Sequence, residues 1–113
     1  VISKKYLILA RKVAVKGDKK RQYKFGAVGI RNDGAIVSAS NIRCRLREPC
    51  AHAEYRLTRK LDWGAVVYVV RVLADGKLAM AKPCKTCQSV MRLKGVKRCY
   101  YSISNNEFGV MIL

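Results

Sequence analysis

At 113 residues, half of them apolar, the chain has the size and composition of one globular domain; it is too short for two cores and too apolar for disorder. Twenty-four Lys and Arg against seven Asp and Glu leave a net charge of +17, a self-repulsion that points to a polyanionic partner, nucleic acid first. The longest apolar run, Ala65 to Val70, is too short to span a bilayer, and Val1 to Arg11 lacks the apolar core and cleavage site of a signal peptide. An anionic membrane is the weaker partner, because the basic residues spread along the chain and do not gather on one amphipathic helix. The same surplus of charge opposes self-association, and the sequence leaves the oligomeric state open.

The first element reads as a helix from Ser3 to Val13, with Ile2, Tyr6, Leu9 and Val13 at helical spacing. Gly17-Asp18 ends it, and the basic run Lys19-Lys20-Arg21 follows in a loop. Tyr23 to Arg31 and Ala35 to Ser40 read as two strands joined by Asn32-Asp33-Gly34, a hairpin signal. An arginine-rich loop runs from Asn41 to Cys50, and Ala51 to Leu61 reads as a helix with Ala53, Leu57 and Leu61 on one stripe. The β-branched run Ala65 to Leu73 suits a central strand covered on both faces. A polar stretch containing Asp75-Gly76 leads to Pro83, where a helix can begin without loss of an N–H; Gly95 ends that helix. Val96 to Ser104 and Glu107 to Leu113 read as two last strands, joined too closely to be parallel. The order predicts an α/β domain in three layers, a five-stranded mixed sheet between helices with an antiparallel final hairpin.

Five cysteines cannot all pair, and two of them form Cys84-x-x-Cys87. This usage favours a metal or redox site in the cytoplasm or another reducing compartment, a host-cell interior if the chain is viral. Cys84 and Cys87 lie one helical turn apart at a helix start, where thiolates form readily. With His52, the single histidine, they make three donors of the kind zinc takes in catalytic sites, with a fourth position left for water. Zinc brings the pKa of such a water to about 7. Glu54, two residues beyond His52, is placed to move protons as a general acid/base. The competing reading closes the site with Cys44, Cys50, Cys84 and Cys87 and makes the chain a non-enzymatic zinc module that binds nucleic acid. It leaves His52 and Glu54 without a role. Cys99 reads as core, Cys50 as packing beneath the helix start, and Trp63 as a packing anchor.

His52-Ala53-Glu54 with Pro83-Cys84-Lys85-Thr86-Cys87 resembles the zinc-dependent cytidine/deoxycytidylate deaminase superfamily, and the order of elements matches over most of the chain. The resemblance implies that His52, Cys84 and Cys87 hold zinc and that Glu54 shuttles protons. It implies hydrolysis at carbon 4 of cytosine, releasing ammonia and leaving uracil. Asn41, eleven residues before His52, matches a substrate-binding asparagine of several branches; Phe25, Ala53 and Tyr101 complete the expected substrate contacts. A histidine first ligand is like the deoxycytidylate, tRNA-adenosine and polynucleotide-editing branches. A closing antiparallel hairpin is more like free-cytidine deaminases and some RNA-editing or toxin-type deaminases.

Charge weighs between these branches. A mononucleotide needs two or three cations at its phosphate. Lys20, Arg21, Arg43, Arg45 and Arg47 lie in loops expected to border the pocket, where they could guide a strand. Tyr100 and Tyr101 are candidate stacking residues, although alternation sends them to opposite faces of a strand. The expectation is cytosine deamination in single-stranded DNA or RNA. The alternatives are dCMP, CMP or free (deoxy)cytidine, and then adenosine in tRNA.

Overall fold

The computed structural model describes residues 4–16, 24–41 and 53–113. Helix α1 (Lys4–Lys16) is followed by strands β1 (Lys24–Ile30) and β2 (Ile36–Ser40), helix α2 (Ala53–Thr58) and strand β3 (Val66–Val72). A two-residue strand β4 (Leu78–Ala79), helix α3 (Lys85–Lys94) and strands β5 (Arg98–Ser102) and β6 (Phe108–Ile112) complete it. The sheet runs β2-β1-β3-β5-β6, with β4 paired to β3 off this path. Among the described residues only β3 and β5 pair in parallel; the β1–β2 and β5–β6 hairpins are antiparallel, as expected. β4 is the addition to the five expected strands. It exists because Asp75 and Gly76 turn the chain back on β3: Asp75 Oδ1 accepts from the Lys77 N–H at 3.0 Å and Gly76 takes a φ of 87°.

Alternation along the central strands divides the apolar side chains between two cores. Ala27, Val67, Val69 and Cys99 face α2 and α3, together with Ala53, Leu57, Leu61 and Met91. Val28, Tyr68, Val70, Val72 and Tyr100 face α1. The sheet is therefore covered on both sides, which makes the domain a three-layer α/β/α sandwich. Removing the fully buried Leu57 side chain from the first core should leave a cavity. Leu57→Ala is expected to cost about 2–5 kcal/mol, read as a lower denaturant midpoint at unchanged slope.

The α1 stripe differs from the expected one. Leu7, Ala10 and Ala14 are the buried residues, while Tyr6, Leu9 and Val13 pack only in part. The reason is close approach: a side chain on Gly26 of β1 would collide with the backbone of Ala10 and Ala14. Small residues must face one another there, so the larger apolar residues flank the contact.

Candidate active site

Four elements bring their functional ends to one edge of the sheet. β2 ends at Ser40 and β1 begins at Lys24, in antiparallel register. β3 ends at Val72 beside Lys24, and β5, parallel to β3, ends at Ser102. Helix α2 is anchored antiparallel to β2: Arg56 Nη1 donates to the Ser40 carbonyl at 2.6 Å and Lys60 Nζ to the Ser38 carbonyl at 2.6 Å. Its first turn therefore lies near Asn41. The segment entering α3 is tied to the end of β5, where the Ala81 N–H donates to the Ser102 carbonyl at 2.8 Å. Both helices thus begin toward the carboxyl ends of β2, β3 and β5, the usual position of a site in an open α/β sheet.

Glu54 is the second residue of α2 and is buried. Ala53 before it is wholly buried in the core between the sheet and α2 and α3. Cys84 is the N-cap of α3, with extended backbone (φ −68°, ψ 166°), and Cys87 stands in the first turn. Cys84 is exposed and Cys87 buried, so the pair runs from the surface into the interior at the start of α3. No disulfide joins the described cysteines. Two thiols one turn apart at a helix N-terminus are sulfur donors of the kind a thiophilic metal takes. Cys99 is a different case. Burial, and then the Glu54 carboxylate, push its thiol well above the ordinary cysteine range, so it stays protonated as a core residue.

Asn41 and Phe25 come together at the paired ends of β1 and β2. The Phe25 N–H donates to Asn41 Oδ1 at 2.9 Å and the Asn41 N–H to the Phe25 carbonyl at 3.3 Å. One end of the Asn41 amide therefore pins the β1–β2 pair. Phe25 and Tyr101 are half-buried against the same core as Ala53 and Leu57, and the Tyr101 ring lies across Gly109 of β6. Tyr100 lies on the other side, stacked on Tyr68 with centroids 4.8 Å apart, so of the two tyrosines only Tyr101 is on the face of the site. His52, Lys20, Arg21, Arg43, Arg45, Arg47, Cys44 and Cys50 lie outside the described residues.

Two residues at this end of the sheet were not anticipated. Arg71 sets its guanidinium 5.8 Å from the centroid of the Phe25 ring, directly across the β1–β3 pair. Ser102 is fully buried; its hydroxyl donates to the Ala79 carbonyl at 2.6 Å and accepts from the Arg71 N–H at 3.3 Å. It thereby locks β4 and the end of β3 to β5. The signal for Arg71 was present in the sequence, since it is the single charged residue inside the apolar run Ala65 to Leu73. No helix among the described residues is long and apolar enough to cross a membrane.

Comparison with known proteins agrees with this geometry. Residues 2–103 match the family model of the cytidine and deoxycytidylate deaminase zinc-binding region. Among solved structures, the fold is similar to cytidine deaminase from Burkholderia pseudomallei, with a TM-score of 0.75 at 18% identity over 99% of this chain and 93% of that one. Cytidine deaminase from Mycobacterium leprae gives a TM-score of 0.68 at 17% identity, over 97% and 93%. A point mutant of the Mycobacterium tuberculosis cytidine deaminase gives 0.61 at 17%, over 90% and 85%. No curated protein sequence gives a significant match. With a family model spanning nearly the whole chain and both candidate thiols at one helix start, the protein belongs to the zinc-dependent cytidine and deoxycytidylate deaminases.

Proposed function

We propose that the protein deaminates cytosine in single-stranded nucleic acid, with His52, Cys84 and Cys87 holding zinc and Glu54 carrying the proton. Zinc, when bound, supplies the Lewis acid that makes hydroxide available near neutral pH. Glu54 accepts a proton from the attacking water on a carboxylate oxygen and returns it to the base, so that cytosine and water become uracil and ammonia. Asn41 and Phe25 hold the rim against which the nucleotide lies, and Tyr101 closes the same face.

The observation that carries the polynucleotide reading is the charge. Between Asp75 and Glu107 the chain contains no acidic residue, yet it carries Lys77, Lys82, Lys85, Arg92, Lys94, Lys97 and Arg98. Lys85, Arg92 and Lys94 lie on α3, the helix that begins at Cys84 and carries Cys87 in its first turn. One phosphate does not need such a field; a strand with many phosphates does. A second reading, a free nucleoside or nucleotide substrate, draws on the antiparallel β5–β6 hairpin and on the cytidine deaminases among the similar structures.

Incubation with cytosine-containing single-stranded DNA and RNA, dCMP and cytidine in parallel, scoring uracil, separates the two. Oligonucleotides should be the better substrates, and their binding should weaken steeply with salt, about tenfold or more between 50 and 200 mM for even a few phosphate contacts. Rapid turnover of dCMP or cytidine, beside weak and salt-insensitive oligonucleotide binding, would overturn the polynucleotide reading.

A further inference from the structure

We infer that Trp63, with the basic face of α3, forms a second contact for a single strand, a base-stacking platform at the opposite pole from the candidate zinc site. The inference rests on the polynucleotide reading and adds to it where the strand runs. Trp63 is the single tryptophan of the chain, and its place after a helix makes it a packing anchor by sequence alone. It does pack, but on one side only. The indole lies against Gly95, the left-handed C-cap of α3, where any side chain would collide with the ring. The Gly64 N–H donates to the Gly95 carbonyl at 2.8 Å and the Lys97 N–H to the Ala65 carbonyl at 2.9 Å, so the backbone on both sides of the contact is fixed. Trp63 is nonetheless 75% exposed. A rigid aromatic ring seated on backbone and open to solvent contributes little to a core, but it matches what an unpaired base stacks on.

The surroundings identify the partner by charge. Arg92 and Lys94 end α3 beside Gly95, Lys97 follows, and all three are exposed. The nearest acid in sequence, Asp62, is already engaged: its carboxylate accepts from the Asn32 N–H at 2.8 Å and lies 3.9 Å from the Arg31 guanidinium. The platform therefore faces solvent with a positive rim, suited to phosphates on either side of a stacked base. From Cys84 the exposed face of α3 carries Lys85 and then Arg92 toward this pole. At about 1.5 Å per residue the helix covers roughly 15 Å, a distance that a strand of a few nucleotides bridges, within the site sizes of about 4–16 nucleotides found for stacking grooves.

Because Trp63 is the only tryptophan, its own fluorescence reports the contact. The zinc-loaded protein is titrated with a dye-labelled oligothymidylate, following indole emission and dye anisotropy together. A deamination assay on the same oligonucleotide carrying one cytosine runs in parallel. The expected result is saturable quenching that follows the anisotropy, with Trp63→Ala binding about 5- to 150-fold more weakly and showing a raised KM for the cytosine-bearing strand. Trp63→Phe, which keeps a ring on Gly95, should retain most of the affinity and guards against a folding defect in the alanine variant. Anisotropy and deamination with unchanged indole emission, and full affinity in both variants, would overturn the platform while leaving the polynucleotide reading standing. An oligonucleotide that neither binds nor is deaminated would overturn both.

Discussion

Glu54→Ala is expected to lower the rate of uracil formation about 10²–10⁴-fold while leaving zinc content and oligonucleotide affinity close to those of the parent protein. The expectation follows from position. Glu54 is buried in the first turn of α2, on a helix held to the end of β2 through Arg56 and Ser40. Glu54 thus lies at the start of α2, on the helix tied to the end of β2, and it is not among the three donors assigned to the metal. Proton transfer and metal retention should therefore separate. Zinc measured by elemental analysis, together with single-turnover deamination, checks this. A variant that keeps more than a tenth of the activity would show that another group moves the proton, and a variant that loses zinc would place Glu54 in the metal's support.

The second large effect concerns the metal. His52→Ala and Cys87→Ala should each reduce bound zinc from stoichiometric to near zero, since a site with three protein donors cannot lose one and remain tight. Cys44→Ala should retain zinc, which also tests the four-thiolate alternative. Cys99→Ala should retain it too, because Cys99 is packed in the core between the sheet and α2 and α3 and is not among the three donors assigned to the metal. Chelation should lower the melting midpoint of the parent protein. Zinc at a thousandfold excess over its dissociation constant stabilises the folded state by about 4 kcal/mol, which in a domain of this length is roughly 15–20 °C. The Cys87→Ala protein should melt near the chelated parent and show no further loss on chelation. A midpoint that still falls with chelator would mean that the metal is held elsewhere.

These effects act on one edge of a sheet whose construction explains why they are local. The core between the sheet and α2 and α3 supports Ala53, and through it Glu54, from below with Leu57, Val67, Val69 and Met91. The α1 core on the other side of the sheet holds a tilted aromatic contact between Tyr6 and Tyr68 and a stacked one between Tyr68 and Tyr100. It touches the site only through the strands. Substitutions in the α1 core should therefore change stability without changing the pH or salt dependence of the reaction.

Much of this was legible in the residues taken alone. Asn32-Asp33-Gly34 between two alternating runs sufficed for the β1–β2 hairpin, and the shortness of the link before Glu107 sufficed for the antiparallel β5–β6 pair, because both depend on chain geometry over a few residues. The run Ala65 to Leu73 announced a strand covered on both faces. His52-Ala53-Glu54 and Pro83-Cys84-x-x-Cys87 announced the zinc deaminase, because metal and proton chemistry demand particular side chains at particular spacings. What tertiary structure alone decided were matters of which surface meets which. The α1 stripe turned to Leu7, Ala10 and Ala14 because Gly26 allows a close approach that periodicity does not reveal. β4 formed from two residues, too few to show a period, although Asp75-Gly76 marked the turn. Tyr100 went to the α1 core and Tyr101 to the core beneath α2 and α3, a choice that alternation required but could not assign. Trp63 was set on Gly95 with its outer face open, since the exposure of a side chain depends on what the rest of the fold places above it. Local chemistry is written in spacing; burial is a property of the whole packed chain.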